Sequence, residues 1–491
     1  MNYLIDTNVV IPLEPVSTID LEVNTPVALE FHCLTSKQGH KLFVHPHIER
    51  DLARDKDQAR ANLRRTLLSR YQMLQNPPAI SPKLSSMIGT AEPGSNDWVD
   101  DSLLMALERN AVDYLVTEDY EIHRKAGKLG LSNRTLRLTE AVSSLRALFD
   151  EQPVPPPAVE CVEAYVLDER DPIFDSFRVD YPGFDEWLVK CKREHRMAFV
   201  IRSPNLSRLA AICIVNREDD NDYGLSGKVL KICTLKVAEE YNGNRYGELV
   251  LKPVFDYLMQ NSFDHAFVTV FERQQVLWEM LESFGFGELD QKSPLGEVVL
   301  AKRLKFSDAE KQELPPLEFN RRFGPWVTKF SGNSTFVVPI KPVYHAILFP
   351  EIETQGHLFP GQAACGNSIK KAYLCNATIK TIHSGANLFF YRSEDLRAVT
   401  TLGIVEDCRR STDAKKIIFY VGKRTVYTSK QITEMCTDAP VLAIRFRRVV
   451  FLTPPVSCDE LREHGCLRGV PQSIQRIPYK GVQWLAQRST T

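Results

Sequence analysis

The stretch Asn96 to Asp119, NDWVDDSLLMALERNAVDYLVTED, decides how the first part of the chain is read. Asp97, Asp100 and Asp101 precede Leu103, Leu104, Ala106 and Leu107, whose spacing suits one face of a helix, so carboxylates gather at that helix's start. After a turn at Asn110, Tyr114-Leu115-Val116-Thr117 reads as a buried strand. Asp119 stands just past its C-terminal end, where open α/β sheets place their ligands. Working outward, a first strand Tyr3-Leu4-Ile5 delivers Asp6, then Thr7 and Asn8, in the same way. If the two strands are parallel neighbours, their acids converge. Like charges held together are costly unless neutralised, and an all-oxygen set suits a hard divalent ion, Mg2+ or Mn2+. The competing reading is structural: Asp97 or Asp100 caps the helix and the other acids are ordinary loop residues.

Four blocks carry a resemblance: LIDTNVV at 4–10, PHIERDL with Glu49, DDSLLMAL and LVTED. Together they resemble the signature of the PIN ribonuclease superfamily over about the first 150 residues. The resemblance implies an α/β/α sandwich in which Asp6, Glu49, Asp101 and Asp119 hold one or two divalent ions that activate water for phosphodiester hydrolysis. Asp101 is preferred to Asp100 because its spacing to the following apolar run fits the family pattern better.

At 491 residues the chain exceeds one core, and roughly 100 to 200 residues per domain gives about three domains. An apolar content of 43% with 25% charged residues lets each of them bury a core. No run of about 18 apolar residues and no basic-then-apolar leader is present, so the expectation is a cytoplasmic chain with no membrane partner. Eleven cysteines without CxxC pairs argue against a zinc ribbon and a disulfide scaffold, and most are expected as buried thiols. Residues 1–150 carry 17 Lys and Arg against 20 Asp and Glu, residues 151–330 carry 23 against 30, and residues 331–491 carry 21 against 12. The last third is basic by nine charges, which suits a polyanionic partner.

Residues 48–74 read as a long amphipathic helix rich in arginine (Arg50, Arg54, Arg60, Arg64, Arg65, Arg70). That face either approaches RNA phosphates or is solvated and balanced by Asp51, Asp55 and Asp57. The proline-rich run 151–157 ends the first domain, 1–150. A second domain, 158–306, contains the strand 229–237 followed by AEEYNGNRYGELVLKPVFDYL, a glycine-bearing turn opening into a helix, whose free N–H groups form a ready pyrophosphate site. With the strand at 265–271 and the later LWEMLESFGF, this resembles the GNAT acyltransferase superfamily, an α+β fold that cradles acetyl-CoA. The resemblance implies a cofactor site of Leu235, Val237, Asn242, Gly243, Asn244, Arg245, Tyr246, Gly247 and Glu248. The family loop is Gln/Arg-x-x-Gly-x-Gly/Ala; against its last Gly at Gly247, the first falls on Arg245 and the Gln/Arg on Asn242, with Gly243 displaced by one position. The tyrosine that serves many members as acid for the leaving thiolate is replaced by Leu281, although Gly285-Phe286 is kept. His265 and Glu240 are candidate bases by residue type, with plain structural roles as the alternative.

Residues 305–335 read as a polar linker, and from 336 onward short strands separated by turns give the pattern of a small barrel. GNSIKKAYLC, SGANLFFYRS and TTLGIVEDC resemble the PUA-like group with its ASCH and EVE domains, implying a C-terminal PUA-like β-barrel over 335–491 that binds RNA. Candidate RNA contacts are Lys370, Lys371, Tyr391, Arg392, Arg445 and Arg447, with Arg448 on the opposite strand face. The end piece CLRGVPQSIQRIP, which carries Arg468 and Arg476, is expected to close over the barrel mouth. The three resemblances meet in one expectation: an α/β multidomain enzyme in which a metal-dependent ribonuclease and an acetyl-CoA-dependent N-acetyltransferase are directed to RNA, tRNA first among candidates, in a toxin–antitoxin or stress setting. The alternative is a regulatory or RNA-binding protein that keeps the first or second module as an inactive scaffold or internal inhibitor.

Overall fold

The structure is a computed structural model that describes residues 1–13, 24–37, 39–53, 66, 68, 71–149, 157–203, 208–238, 241, 244–352, 364–379 and 382–489. The chain forms two compact units, Met1–Asp150 and Glu151–Thr491.

The first unit is built on a parallel sheet of β1 (Asn2–Ile5), β2 (Lys41–Val44), β3 (Gln72–Met73), β4 (Tyr114–Val116) and β5 (Thr135–Leu136) in the order β3-β2-β1-β4-β5. Side chains alternate across it, as they must in extended chain. Leu4 and Leu115 face Leu103, Leu104 and Leu107 of the helix Asn96–Glu108 and Ile122 of the helix Tyr120–Lys128. On the other face Tyr3 and Tyr114 stack at 5.3 Å, and Phe31 of the helix Thr25–Lys37 meets Tyr3 edge-on at 5.5 Å. Helices thus cover both faces, giving three layers. Ile5 lies opposite Val116, so Asp6 and Thr117 leave the sheet side by side. The helix Asn96–Glu108 is capped by Ser95, whose hydroxyl accepts the Trp98 N–H, which relieves Asp97 and Asp100 of the capping role. Of the long helix expected over 48–74, the described residues give helix at Ile48–Ala53 and at Thr66 and Leu68 and a strand at Gln72–Met73; Arg54, Arg60, Arg64, Arg65 and Arg70 fall outside the described residues.

The second unit holds two sheets. One runs β11 (Gly287–Lys292), β12 (Val298–Arg303), β10 (His265–Val270), β9 (Val229–Val237), β8 (Leu209–Arg217), β7 (Met197–Arg202), β6 (Glu160–Glu163). Its pairs are antiparallel except β9 with β10. The helix Tyr246–Gln260 covers one face through Leu249, Val250, Val254 and Phe255, and the helix Phe184–Arg193 the other through Phe184, Leu188 and Cys191.

The segment read as a polar linker is ordered. Phe319 and Phe323, one turn apart on the helix Pro316–Phe323, are both fully buried. Buried Lys302 donates to the carbonyls of Phe284 (2.7 Å), Arg321 (3.2 Å) and Arg322 (2.8 Å), satisfying the ends of two helices with one ammonium.

The last sheet is ordered β14 (Lys370–Cys375), β17 (Val441–Ser457), β16 (Ala398–Ser411), β15 (Asn387–Arg392), β13 (Thr335–Ile340), β18 (Gln475–Arg476). Its strand pairing is an open series, and no closed barrel forms among the described residues. The final strand, two residues between Pro471 and Pro478, is too short to carry the sheet round to β14. Phe389 and Tyr391 are buried toward the C-terminal helices Cys458–Glu463 and Tyr479–Ser489, and Phe390 is buried on the other face against Phe349 and Phe446. All eleven cysteines are free thiols, two of them, Cys33 and Cys161, exposed. Among the described residues no helix is long and apolar enough to cross a membrane.

Candidate functional site

In the first unit, Asp6 is 8% exposed and heavily bonded. Its Oδ1 accepts the Thr7 N–H at 2.6 Å, and its Oδ2 accepts Asn8 Nδ2 and the Thr117 hydroxyl, both at 2.7 Å. Asn8 returns across the gap by accepting the Glu118 N–H at 3.1 Å, so the loops after β1 and β4 are latched together. Asp119 accepts the Ile122 N–H at 3.1 Å and caps the helix Tyr120–Lys128. The third member of this group is Asp100: burial, then the charges of Asp119 and Asp6, lift its carboxyl from 3.8 to about 7.

Asp101 points elsewhere. It is 2% exposed and accepts Lys125 Nζ at 2.8 Å, and the same ammonium reaches Asp97 at 3.1 Å. Asp97 and Asp101 are four residues apart and share a helix face, while Asp100 lies about 100° round the helix, toward Asp6 and Asp119. Glu49 lies on the helix Ile48–Ala53 with its side chain exposed. Of the four acids read from the sequence, Asp6 and Asp119 thus come together, with Asp100 beside them. Among the described residues no group of three His, Cys, Asp or Glu side chains stands ready-made to hold a metal ion.

In the second unit, β9 and β10 pair only from Val229 with His265 to Ile232 with Val268. Beyond that point β9 continues to Val237, and a register shift against β8 falls between Ile214 opposite Thr234 and Val215 opposite Ile232, so Cys233 is the extra residue. A notch therefore opens between the two strands where they part. The helix Tyr246–Gln260 follows β9, with Arg245 as its N-cap in the left-handed conformation (φ 58°) and no capping side chain. Among the described residues no acceptor meets the N–H groups of Tyr246, Gly247 and Glu248. A Cβ on Gly247 would stand 3.2 Å from Met280 Sδ and 3.8 Å from Val237, so the helix start packs closely on β9 and on the helix Gln275–Ser283.

Leu235 and Val237 are half-buried against this core, and Asn242 and Gly243 lie outside the described residues. Arg245 is committed to Glu248 at 2.6 Å. Glu248 also accepts the Ser368 hydroxyl (2.7 Å) and the Ile369 N–H (3.0 Å), and Asn367 donates to the Asn244 carbonyl at 2.7 Å. Burial alone would raise the Glu248 carboxyl; Arg245, Lys370 and Ser368 more than offset it and hold it down at about 2. The loop is thereby tied to the C-terminal sheet. His265 pairs with Val229 and Arg303 at the far end of β10 from the notch, which removes it as a base there; Glu240 lies outside the described residues. Leu281 is fully buried core.

The basic residues assigned to RNA are turned inward. Lys371 is fully buried, donates to the carbonyls of Cys365 (2.7 Å) and Gly366 (3.2 Å), and is pulled down to about 7 by burial and by Lys252. Arg447 is 1% exposed and donates to the Ser283 carbonyl at 2.5 Å. Lys370 lies opposite it and is likewise pulled down to about 7, by burial and then by Arg447. Tyr391 is core, Arg392 is clamped to Asp395 at 2.6 Å, Arg445 lies over Tyr420 near Asp407, and Arg448 is buried. Lys370 and Arg447 turn to Phe284 and Ser283 beside the neighbouring sheet of the same unit, Lys371 turns to the opposite strand face toward Phe349 and the carbonyls of Cys365 and Gly366, and Arg445 lies on the helix Ala414–Val421. The cations of the C-terminal part that are exposed include Arg409, Arg410, Lys415, Lys416, Arg476 and Lys480.

No family model matches the chain, and no curated protein matches it in sequence. Among solved structures, ASCH from Zymomonas mobilis is 15% identical and covers 31% of this chain and 94% of its own, with a TM-score of 0.25. An acetyltransferase of the GNAT family from Staphylococcus aureus Mu50 is 13% identical and covers 30% of this chain and 100% of its own, with a TM-score of 0.24. The PaiA N-acetyltransferase from Thermoplasma acidophilum, solved in complex with coenzyme A, is 12% identical and covers 30% of this chain and 99% of its own, with a TM-score of 0.23. At these scores the likenesses bear no weight, and the functional reading rests on the residues and geometry above.

Proposed function

We propose that residues 158–306 bind an acyl-CoA in the notch between β9 and β10 and transfer its acyl group to an amine, as GNAT acetyltransferases do. The observation that carries this reading is the parting of the sheet's one parallel pair at the Cys233 bulge, directly before a helix whose first N–H groups are bare. Those groups, on Tyr246, Gly247 and Glu248, suit a pyrophosphate, whose charge the helix N-terminus favours. The glycine at 247 suits close approach of such a group.

Acyl-CoA supplies the activated thioester: the amine nitrogen forms a bond to the acyl carbon and loses a proton to solvent, the C–S bond breaks, and the thiolate takes a proton. The chain's share is positioning, which converts a bimolecular encounter into an oriented one. With Leu281 where a phenol would protonate the thiolate, that proton comes from solvent and the turnover is slow. Calorimetry of acetyl-CoA against the wild type and Gly247→Asp is the test. Binding by the wild type and its loss in the variant are expected; no heat with the wild type leaves this module a scaffold.

A second reading concerns the first unit. Asp6, Asp100 and Asp119 crowd negative charge at the C-terminal edge of a parallel sheet, while Lys125 is committed to Asp97 and Asp101. Such a set fits Mg2+ or Mn2+ in its chemistry, with Glu49 as a further ligand, and supports a PIN-type nuclease acting on RNA, tRNA included. A bound ion would supply a polarised water for phosphodiester hydrolysis. The chain's own part is to hold three carboxylates at one sheet edge and to keep Asp101 out of the set through Lys125. Mn2+-dependent RNA cleavage is expected to vanish in Asp6→Asn and Asp100→Asn and to persist in Asp101→Asn if that variant folds; loss in Asp101→Asn alone would restore Asp101 to the set.

A further inference from the structure

Where the loop before the helix Tyr246–Gln260 meets the C-terminal sheet, four cations gather round two carboxylates. Lys370 of β14 lies opposite Arg447 of β17, and both stand over the ring of Phe284, at 5.3 Å and 5.2 Å from its centre. Arg424 ends the short turn Gly422–Arg424. Burial, then the charge of Arg245, the N-cap residue of the helix, pull its guanidinium down to about 10. Of the two acids, Glu248 is already committed to Arg245, Ser368 and Ile369. Glu406 stands 3.8 Å from Arg424 and 3.8 Å from Arg447, too far for a hydrogen bond to either. Among the described residues the Lys370 ammonium and the Arg424 guanidinium therefore donate to no acceptor, and neither do Nε and Nη1 of Arg447. Arg447 is closed off, but the side chains of Arg424 and Arg245 keep 14% and 26% of their surface open, and Lys370 is half-buried. Four cations against two acids leave two positive charges without a counterion, a costly arrangement away from bulk water. A dianion with several acceptor oxygens would satisfy it, and guanidinium and ammonium groups are suited to phosphate. The acyl-CoA reading puts a pyrophosphate on the N–H groups that follow Arg245 directly. Coenzyme A carries one further phosphate, a dianion on the 3′-oxygen of the ribose next to that pyrophosphate.

We propose that Arg424 and Lys370 bind the ribose 3′-phosphate of the acyl-CoA, so that the C-terminal sheet completes the cofactor site of the neighbouring sheet and selects coenzyme A over its 3′-dephospho form. The inference rests on the acyl-CoA reading and gives both residues a binding role, with no part in the transfer step. The test is calorimetry of the full chain with acetyl-CoA and with 3′-dephospho-acetyl-CoA, for the wild type, Arg424→Gln, Lys370→Gln and, as a charge control, Lys416→Ala. The wild type is expected to bind acetyl-CoA about tenfold to a hundredfold tighter than the dephospho form, the worth of one or two charge-assisted hydrogen bonds. Arg424→Gln and Lys370→Gln should each bring that ratio toward one by weakening acetyl-CoA alone, and Lys416→Ala should leave it unchanged. A substitution that merely unsettles the fold weakens both ligands alike, so the ratio reads the phosphate contact and not stability. A wild type that binds the two ligands equally, or a ratio that neither Arg424→Gln nor Lys370→Gln alters, overturns the proposal and leaves the acyl-CoA reading standing. Binding of neither ligand by the wild type overturns both.

Discussion

Asp100→Asn should stabilise the first unit at alkaline pH. Burial, then Asp119 and Asp6, raise the Asp100 carboxyl from 3.8 to about 7 in the folded chain. The unfolded chain ionises it near its ordinary value, so between the two values the folded state holds more protons, and stability falls as pH rises through that window. Above about 7 the whole cost is in place. Roughly three pH units at about 1.36 kcal/mol each gives about 4 kcal/mol. Solvent reaching a half-buried side chain reduces this to about 2 kcal/mol. The variant, which cannot ionise, escapes that cost at about pH 8 and escapes less than half of it at about pH 5. Hydrogen exchange of peptides spanning β1 and β4, measured on the full chain at both values with a chelator present, reads the effect locally. Slower exchange in Asp100→Asn at about pH 8, with a smaller gain at about pH 5, is expected. Equal or faster exchange at both would refute the electrostatic crowding of the three acids.

Other outcomes follow from the same geometry. Millimolar Mg2+ or Mn2+ should slow exchange in β1 and β4 of the wild type and leave Asp100→Asn unchanged, because an ion bound only by the folded chain stabilises it. Lys125→Met should lower the stability of the first unit in urea by about 3 kcal/mol, since Asp101 is left buried without its cation. Lys302→Met should destabilise the second unit by about 2–4 kcal/mol, as the carbonyls of Phe284, Arg321 and Arg322 lose their donor. Arg447→Ala should destabilise the second unit in a denaturant titration and leave the salt dependence of any RNA binding untouched. Replacing Arg409, Arg410, Lys415 and Lys416 by Ala should flatten that dependence, by roughly 0.7 in log–log slope for each phosphate no longer neutralised.

How far the sequence could be read depended on whether the deciding interaction was local. Asp6 and Asp119 were legible because each follows a short apolar strand, and strand ends of a parallel sheet lie together. The choice between Asp100 and Asp101 was not, because it turns on Lys125, 24 residues further on and brought back by the next helix. The i,i+4 spacing of Asp97 and Asp101 was the available signal that one ammonium could bridge them. The basic excess of the last third was countable, yet a count is blind to burial. Arg447 ends on the Ser283 carbonyl and Lys371 on those of Cys365 and Gly366, partners that no local pattern announces, and the apolar runs beside them suit buried strands either way. The notch was legible only through resemblance: the parting of β9 from β10 depends on a bulge at Cys233, in a run KICTL that reads as uninterrupted strand. Residues 305–335 looked like linker because the composition turns polar around Pro315-Pro316 and Arg321-Arg322, while buried Phe319 and Phe323, with Lys302 on the carbonyls of Arg321 and Arg322, fix the helix.

The central claim, an acyl-CoA held between parted strands, is tested most directly by a crystal structure of the full chain grown with saturating coenzyme A. Pyrophosphate density on the N–H groups of Tyr246, Gly247 and Glu248, with the pantetheine running between Cys233–Val237 of β9 and the end of β10, is the predicted result. Coenzyme A lodged elsewhere, or a notch closed by Met280 and empty at saturation, would contradict it.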